Sequence, residues 1–362
     1  MLAAWMRDVG DGFVELRVRL VALYAFLIVA NLGIWAGTVF AFRAHPLVLG
    51  TALLAYSFGL RHAVDADHIA AIDNVTRKLM QEGQRPVGVG FWFSLGHSAV
   101  VVLAALAIAV TTAALAPRFE VWKDVGGTVS TSVSMLFLFA VAAMNTVILA
   151  GIWETFRHVR RGGAFADRDF DLLLSNRGLL ARLFRPAFRL VTRSWHMFPL
   201  GFLFGLGFDT ATEVALLGLS ASQASEGMSI WSIMIFPALF AAGMSLIDTT
   251  DGVLMLGAYN WAYIKPMRKL YYNLVITAVS VVVALLIGGI EGLGLITNRL
   301  GLEGWPWKAI VALNGNFNGL GFAIIGLFVF AWVTSLVIYR YARVDQGDAA
   351  PRNPFVRSAR RP

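Results

Sequence analysis

The sequence predicts an all-α, polytopic membrane protein of about eight transmembrane helices. Three observations predict it. Of 362 residues, 58% are hydrophobic and only 14% charged, against about 25% charged in soluble domains, and mean hydropathy is +0.68. Apolar stretches of about 20 residues, the length that crosses ~30 Å of hydrocarbon, recur along nearly the whole chain. The formal charge of +8 collects in a few loops beside apolar spans, a pattern of membrane topology rather than a nucleic-acid surface.

A polar, mixed-charge arm runs through Arg19 and lacks the apolar core and cleavage site of a secretory leader, so no cleaved peptide is expected. Four spans follow: Leu20 to Phe42, Leu47 to Ile72, Val87 to Leu115 and Val129 to Trp153. They form an N-terminal membrane half, residues 1–156. A basic stretch with interspersed aspartates, residues 157–196, divides the chain and reads as a cytoplasmic linker. Phe198 to Leu219, Ile230 to Tyr259, Leu274 to Ile296 and Phe317 to Tyr339 form the C-terminal half, residues 197–340, before a basic tail, residues 341–362. Arg and Lys dominate the N-terminal arm, the turn around Arg77 and Lys78, the central stretch, the loop at Lys265 to Lys269 and the tail. By the positive-inside rule, both termini are expected in the cytoplasm.

The halves share short strings. Phe58-Gly59-Leu60 and Gly96-His97-Ser98 in spans two and three match Phe204-Gly205-Leu206 and Gly243-Met244-Ser245 in spans five and six, at nearly equal separation. An offset of three spans would make such a repeat, spans 2–4 against 5–7, inverted in the membrane.

Chemistry concentrates where lipid should be. An ionisable group inside a bilayer costs about 2.5 to 3.5 kcal/mol on insertion scales, so each needs a partner or a wet cavity. Span two carries Arg61, His62, Val64, Asp65, Asp67 and His68, with Asp73 further on. On a regular helix His62, Asp65 and His68 share a face within about 120°, while Asp67 points elsewhere unless the helix breaks there. Two imidazoles and a carboxylate suit nickel, cobalt or zinc better than calcium or magnesium. A helix-gluing polar network is the bland alternative, and the density of groups weighs against it. Cys is absent, so no thiolate can contribute.

Three further clusters extend the path: His97 and Ser98 in span three, Asp209, Thr210 and Glu213 in span five, and Asp248 and Asp251 in span six. Asn31 in span one reads as a bond to a neighbouring helix. No glycine loop for nucleotide phosphates, no His-Glu-x-x-His and no Asp-Thr-Gly occurs, so an enzyme is not expected.

Four segments in order, Arg61 to Ile69 (RHAVDADHI), Phe93 to Val101 (FSLGHSAVV), Leu206 to Glu213 (LGFDTATE) and Gly243 to Asp251 (GMSLIDTTD), resemble the marker segments of the nickel/cobalt transporter family. Ala99, where that family often has Ser or Thr, is a small departure. The resemblance implies a secondary transporter taking up nickel or cobalt across the bacterial inner membrane; an exporter of the same metals is the alternative, and the shortage of histidine in the basic stretch, with only His158 and His196 at its edges, favours import. It implies that His62, Asp67 and His68 are essential, that His97 assists, and that Val64 leans toward nickel. The full expected ligand set is His62, Asp65, Asp67, His68 and His97. Arg61, Val64, Ser98, Asp209, Thr210, Glu213, Asp248 and Asp251 are expected along the path or its gates. The metal would be cargo and not a resident cofactor. Expected partners are the divalent ion, the bilayer and other copies of the chain in a homo-oligomer.

Overall fold

The computed structural model describes residues 2–111, 116–161, 191–206, 211–225, 228–262 and 266–341. Among these residues every long element is a helix and there is no strand. The helices are α1 (Leu2–Phe42), α2 (Pro46–His62), α3 (Ala66–Gln81), α4 (Val89–Thr111), α5 (Ala116–Arg160), α6 (Met197–Gly205) and α7 (Ala211–Ser225). They continue with α8 (Ile230–Ile233), α9 (Ile235–Ala262), α10 (Pro266–Leu300), α11 (Trp305–Asn314) and α12 (Phe317–Tyr341).

Among the described residues, five stretches are long and apolar enough to cross a membrane, or up to seven if each bent pair is one span. Of the eight expected spans, the fifth is the one not in this count. There the chain forms two short helices, α6 and α7, on either side of residues 207–210, which lie outside the described residues, as do most of the linker and the tail. The expected second span is broken: α2 and α3 meet at 52°. Val21, Phe40, Leu54 and Leu286 are among many large apolar residues exposed on the surface, where hydrocarbon rather than water is their fitting solvent.

The break between α2 and α3 is written locally. Pro46 starts α2, where a missing N–H does no harm. Ala63 is still helical, but Asp65 turns extended, with φ −66° and ψ 146°, and α3 restarts at Ala66. The freed backbone groups are satisfied within the turn: Val64 N–H donates to the Arg61 carbonyl at 3.1 Å and Asp65 N–H to that of His62 at 2.9 Å. Unpaired groups would be expensive here, because lipid offers no replacement partner.

The two halves exchange partners. Along α4 lies α6, and along α9 lies α2, while α5 pairs with α10. At the contacts sit the two shared glycines. A Cβ added to Gly96 would collide with the Phe198 carbonyl of α6, and one at Gly243 would stand 2.8 Å from the Tyr56 carbonyl of α2. Phe58-Gly59-Leu60 lies in the last turn of α2, and Phe204-Gly205-Leu206 at the end of α6. The shared strings are therefore the places where one half grips the other, with small residues allowing backbone approach.

Candidate metal centre

The break in span two, the middle of α4 and the start of α7 converge on three fully buried imidazoles. The rings of His62, His68 and His97 form a triangle with centroids 4.7, 4.8 and 4.8 Å apart, and one nitrogen from each lies within 4.8 Å of the others. An ion held about 2.1 Å from each nitrogen sets neighbouring ligands about 3 to 4 Å apart. Small side-chain rotations would close the triad on one ion.

Carboxylates orient the rings. A carboxylate can only accept, so His62 donates from Nδ1 to Asp65 Oδ2 at 2.8 Å, which leaves Nε2 to face the triangle. His68 Nδ1 stands 3.3 Å from both oxygens of Asp248, and its Nε2, deeply buried, has no partner among the described residues. His97 Nε2 lies 2.9 Å from Glu213 Oε1 and 2.9 Å from His62 Nε2. The same Glu213 oxygen is 3.9 Å from His62 Nε2. Carboxylate-to-imidazole pairs of this kind fix the tautomer and strengthen a metal-binding nitrogen. Phe93 stands edge-on to His68 at 4.8 Å and Phe240 lies 5.6 Å from His62, so aromatic walls exclude water from two sides.

The broken helix changes the sequence reading of this segment. His62 and His68 do not share the face of one continuous helix; they reach the same point from two helices across the break. Asp65 occupies the N-cap position of α3 but makes no cap bond, because its carboxylate is turned to His62. Asp67, in the first turn of α3, lies within electrostatic range of His62 and His68. Both carboxylates stand at the positive end of the α3 dipole, and the cluster faces the negative end of α2.

The other expected residues divide. Glu213, expected along the path, touches the triad itself. Asp248 is buried against His68, and Asp251 follows one turn on. Ser98 is buried beside His97 with a hydroxyl that has no partner among the described residues. Arg61 is exposed and outside the triangle. Asp209 and Thr210 lie outside the described residues. Asn31 bonds neighbouring elements: Tyr56 donates its hydroxyl to Asn31 Oδ1 at 3.1 Å.

Sequence reasoning missed Phe240 and Gly321. Phe240 had a signal, since Phe-x-x-Gly-x-Ser occurs at Phe93 to Ser98 and again at Phe240 to Ser245. Gly321 of α12 had none. A Cβ there would collide with the Val64 carbonyl at the break and lie 3.3 Å from Ile69 Cδ1. Gly321→Ala is therefore expected to strain the break by about 1–3 kcal/mol, as overpacking does. Nickel-uptake titrations should show weaker apparent affinity at unchanged membrane level. Gly326→Ala on the same helix, where a Cβ meets nothing within 4 Å, should behave as wild type.

Broken helices that meet at a buried polar cluster inside an apolar helical bundle define a membrane transporter. Comparison with known proteins narrows the class. The chain belongs to the high-affinity nickel-transport protein family, whose sequence pattern matches residues 48–338. It is 61% identical over 332 residues to the high-affinity nickel transport protein of Cupriavidus necator, covering 92% of this chain and 95% of that one. It is 47% identical over 303 residues to the nickel transporter NixA of Staphylococcus aureus, covering 84% and 89%. It is also 43% identical over 295 residues to the cobalt transport protein NhlF of Rhodococcus rhodochrous, covering 80% and 82%. No solved structure matches. The family is one of transporters and not of enzymes, and the metal is its cargo.

Proposed function

We propose that this protein carries nickel or cobalt into the cytoplasm through the His62, His68 and His97 triad, with Glu213 as a fourth donor. The observation that carries the reading is the convergence of three buried imidazoles, two of them backed by Asp65 and Asp248 and the third bonded to Glu213. Neutral imidazole with carboxylate oxygen is a borderline donor set that favours nickel and cobalt over magnesium and calcium. A doubly charged ion trades its water for these donors near the bilayer midplane. The triad and Glu213 draw donors from three separate spans, so a small relative movement of those spans separates the ligands and frees the ion.

The direction is inward. A potential negative inside favours entry of a divalent ion by about 4.6 kcal/mol per 100 mV, twice the value per unit charge. Basic loops assign both termini to the cytoplasm, and the membrane is the bacterial inner one. Val64, at the break between α2 and α3, inclines the preference to nickel by its resemblance to the family.

The test is accumulation of radiolabelled nickel by metal-starved cells, with efflux followed from preloaded cells. Expression of the wild type should raise accumulation and leave efflux unchanged. Faster efflux without added accumulation would reverse the direction.

Protons should compete with the metal for the rings. Imidazole binds a proton near pH 6.5 in ordinary surroundings, and only its neutral form ligates. The ligating form is thus present above that range and lost as pH falls through it. Uptake at fixed membrane potential is expected to drop severalfold between pH 7 and pH 5. A flat profile with intact protein would argue against histidine ligation.

A further inference from the structure

Beyond the triad, α3 and α9 continue side by side in the same direction. His68 faces Asp248 at 3.3 Å, and four residues on along both helices, a Cβ added at Gly252 would meet Ile72 at 3.4 Å. Asp73 follows His68 by five residues, about 7.5 Å along the helix axis. Asp251 follows Asp248 by three. Both acidic groups therefore lie deeper than the triad on the same side.

Asp73 is fully buried and accepts a hydrogen bond from Ser280 Oγ of α10 at 2.9 Å. Asp251 is within electrostatic range of Asp73 and Asp248, and its Oδ2, shielded from solvent, has no partner among the described residues. A second polar atom points to a ligand independently of the acids. Thr277, one turn from Ser280 on the same face of α10, is fully buried, and its Oγ1 has no partner among the described residues. Such a hydroxyl ordinarily finds one.

We propose that Asp73, Asp251, Thr277 and Ser280 form a second station for the divalent ion, between the histidine triad and the far end of α3. The station rests on the reading of this chain as a carrier of that ion. Its donors are all oxygen, with two carboxylates to balance two charges. Hard oxygen donors hold nickel and cobalt more loosely than imidazole does, and they accept manganese readily. Arg77, a turn beyond Asp73 on α3, is buried, donates to Asn74 at 2.8 Å, and adds a positive charge that weakens cation binding there. A tight site for selection followed by a loose one for release meets the need of a path that must both choose and let go.

The experiment is equilibrium dialysis of the purified full-length protein against radiolabelled nickel, with manganese binding followed by electron paramagnetic resonance. Wild type is expected to bind two nickel ions, the second roughly tenfold or more weaker, as oxygen donors require. His62→Ala should lose the tight ion and keep the weak ion and the manganese signal. Asp73→Asn with Asp251→Asn should keep the tight ion, lose the weak ion and the manganese signal, and slow transport with little change in half-saturating nickel. If the double variant does not fold, Thr277→Val with Ser280→Ala must weaken manganese binding. One nickel ion per wild-type chain, or a weak ion untouched by the Asp73 and Asp251 or Thr277 and Ser280 changes, overturns the second station alone. Absence of any tight ion sensitive to His62 overturns the triad instead.

Discussion

Replacing His62 with alanine is expected to abolish nickel accumulation in metal-starved cells while the protein still reaches the membrane. His62 is tied into the triad at both ring nitrogens: Nε2 lies 2.9 Å from His97 Nε2 and Nδ1 donates to Asp65 at 2.8 Å. Its loss removes one of three nitrogens and leaves the Asp65 carboxylate, now without its bond, buried at the break. Removing even an outer-shell partner typically weakens metal binding 10- to 100-fold, so loss of a ligand on the order of 100-fold or more is expected. Nickel at trace concentration would then no longer fill the site. The measurement is radiolabelled uptake alongside an immunoblot of the membrane fraction. Equal accumulation by wild type and variant at equal protein level would remove His62 from the path.

Glu213→Gln should produce the second-largest effect. The substitution keeps the shape and one acceptor oxygen but removes the charge. Glu213 comes from α7, in the other half of the chain, and its Oε1 lies 2.9 Å from one ring nitrogen and 3.9 Å from another. In the proposed reading it joins the ion directly and offsets part of its charge in a buried site. The half-saturating nickel concentration is expected to rise about 10- to 100-fold, with the protein's detergent stability little changed. Initial rates across a nickel series decide it; an unaltered half-saturation value would place Glu213 outside the ion's surroundings.

Much of the site was legible because lipid forbids what water tolerates. His62, Asp65, His68, His97, Glu213 and Asp248 were singled out from charge density within apolar stretches, and all six lie in the cluster. Their roles were less legible. Asp65 looked like a ligand by its three-residue step from His62; its carboxylate lies 2.8 Å from His62 Nδ1, because the helix breaks between them. Glu213 was expected along the path and stands among the imidazoles, because a contact between residues 97 and 213 leaves no periodic trace in sequence. Span five looked continuous by hydropathy, yet its described parts are two short helices.

By itself the sequence determined the solvent, the helical class and the residues that could not be structural filler, since each follows from local composition and the cost of burying charge. The tertiary structure alone decided where span two breaks, that three imidazoles from two spans face one another, and that Gly321 presses on the turn between them. These depend on backbones from distant segments meeting at van der Waals distance, and such meetings are set by the packing of the whole bundle.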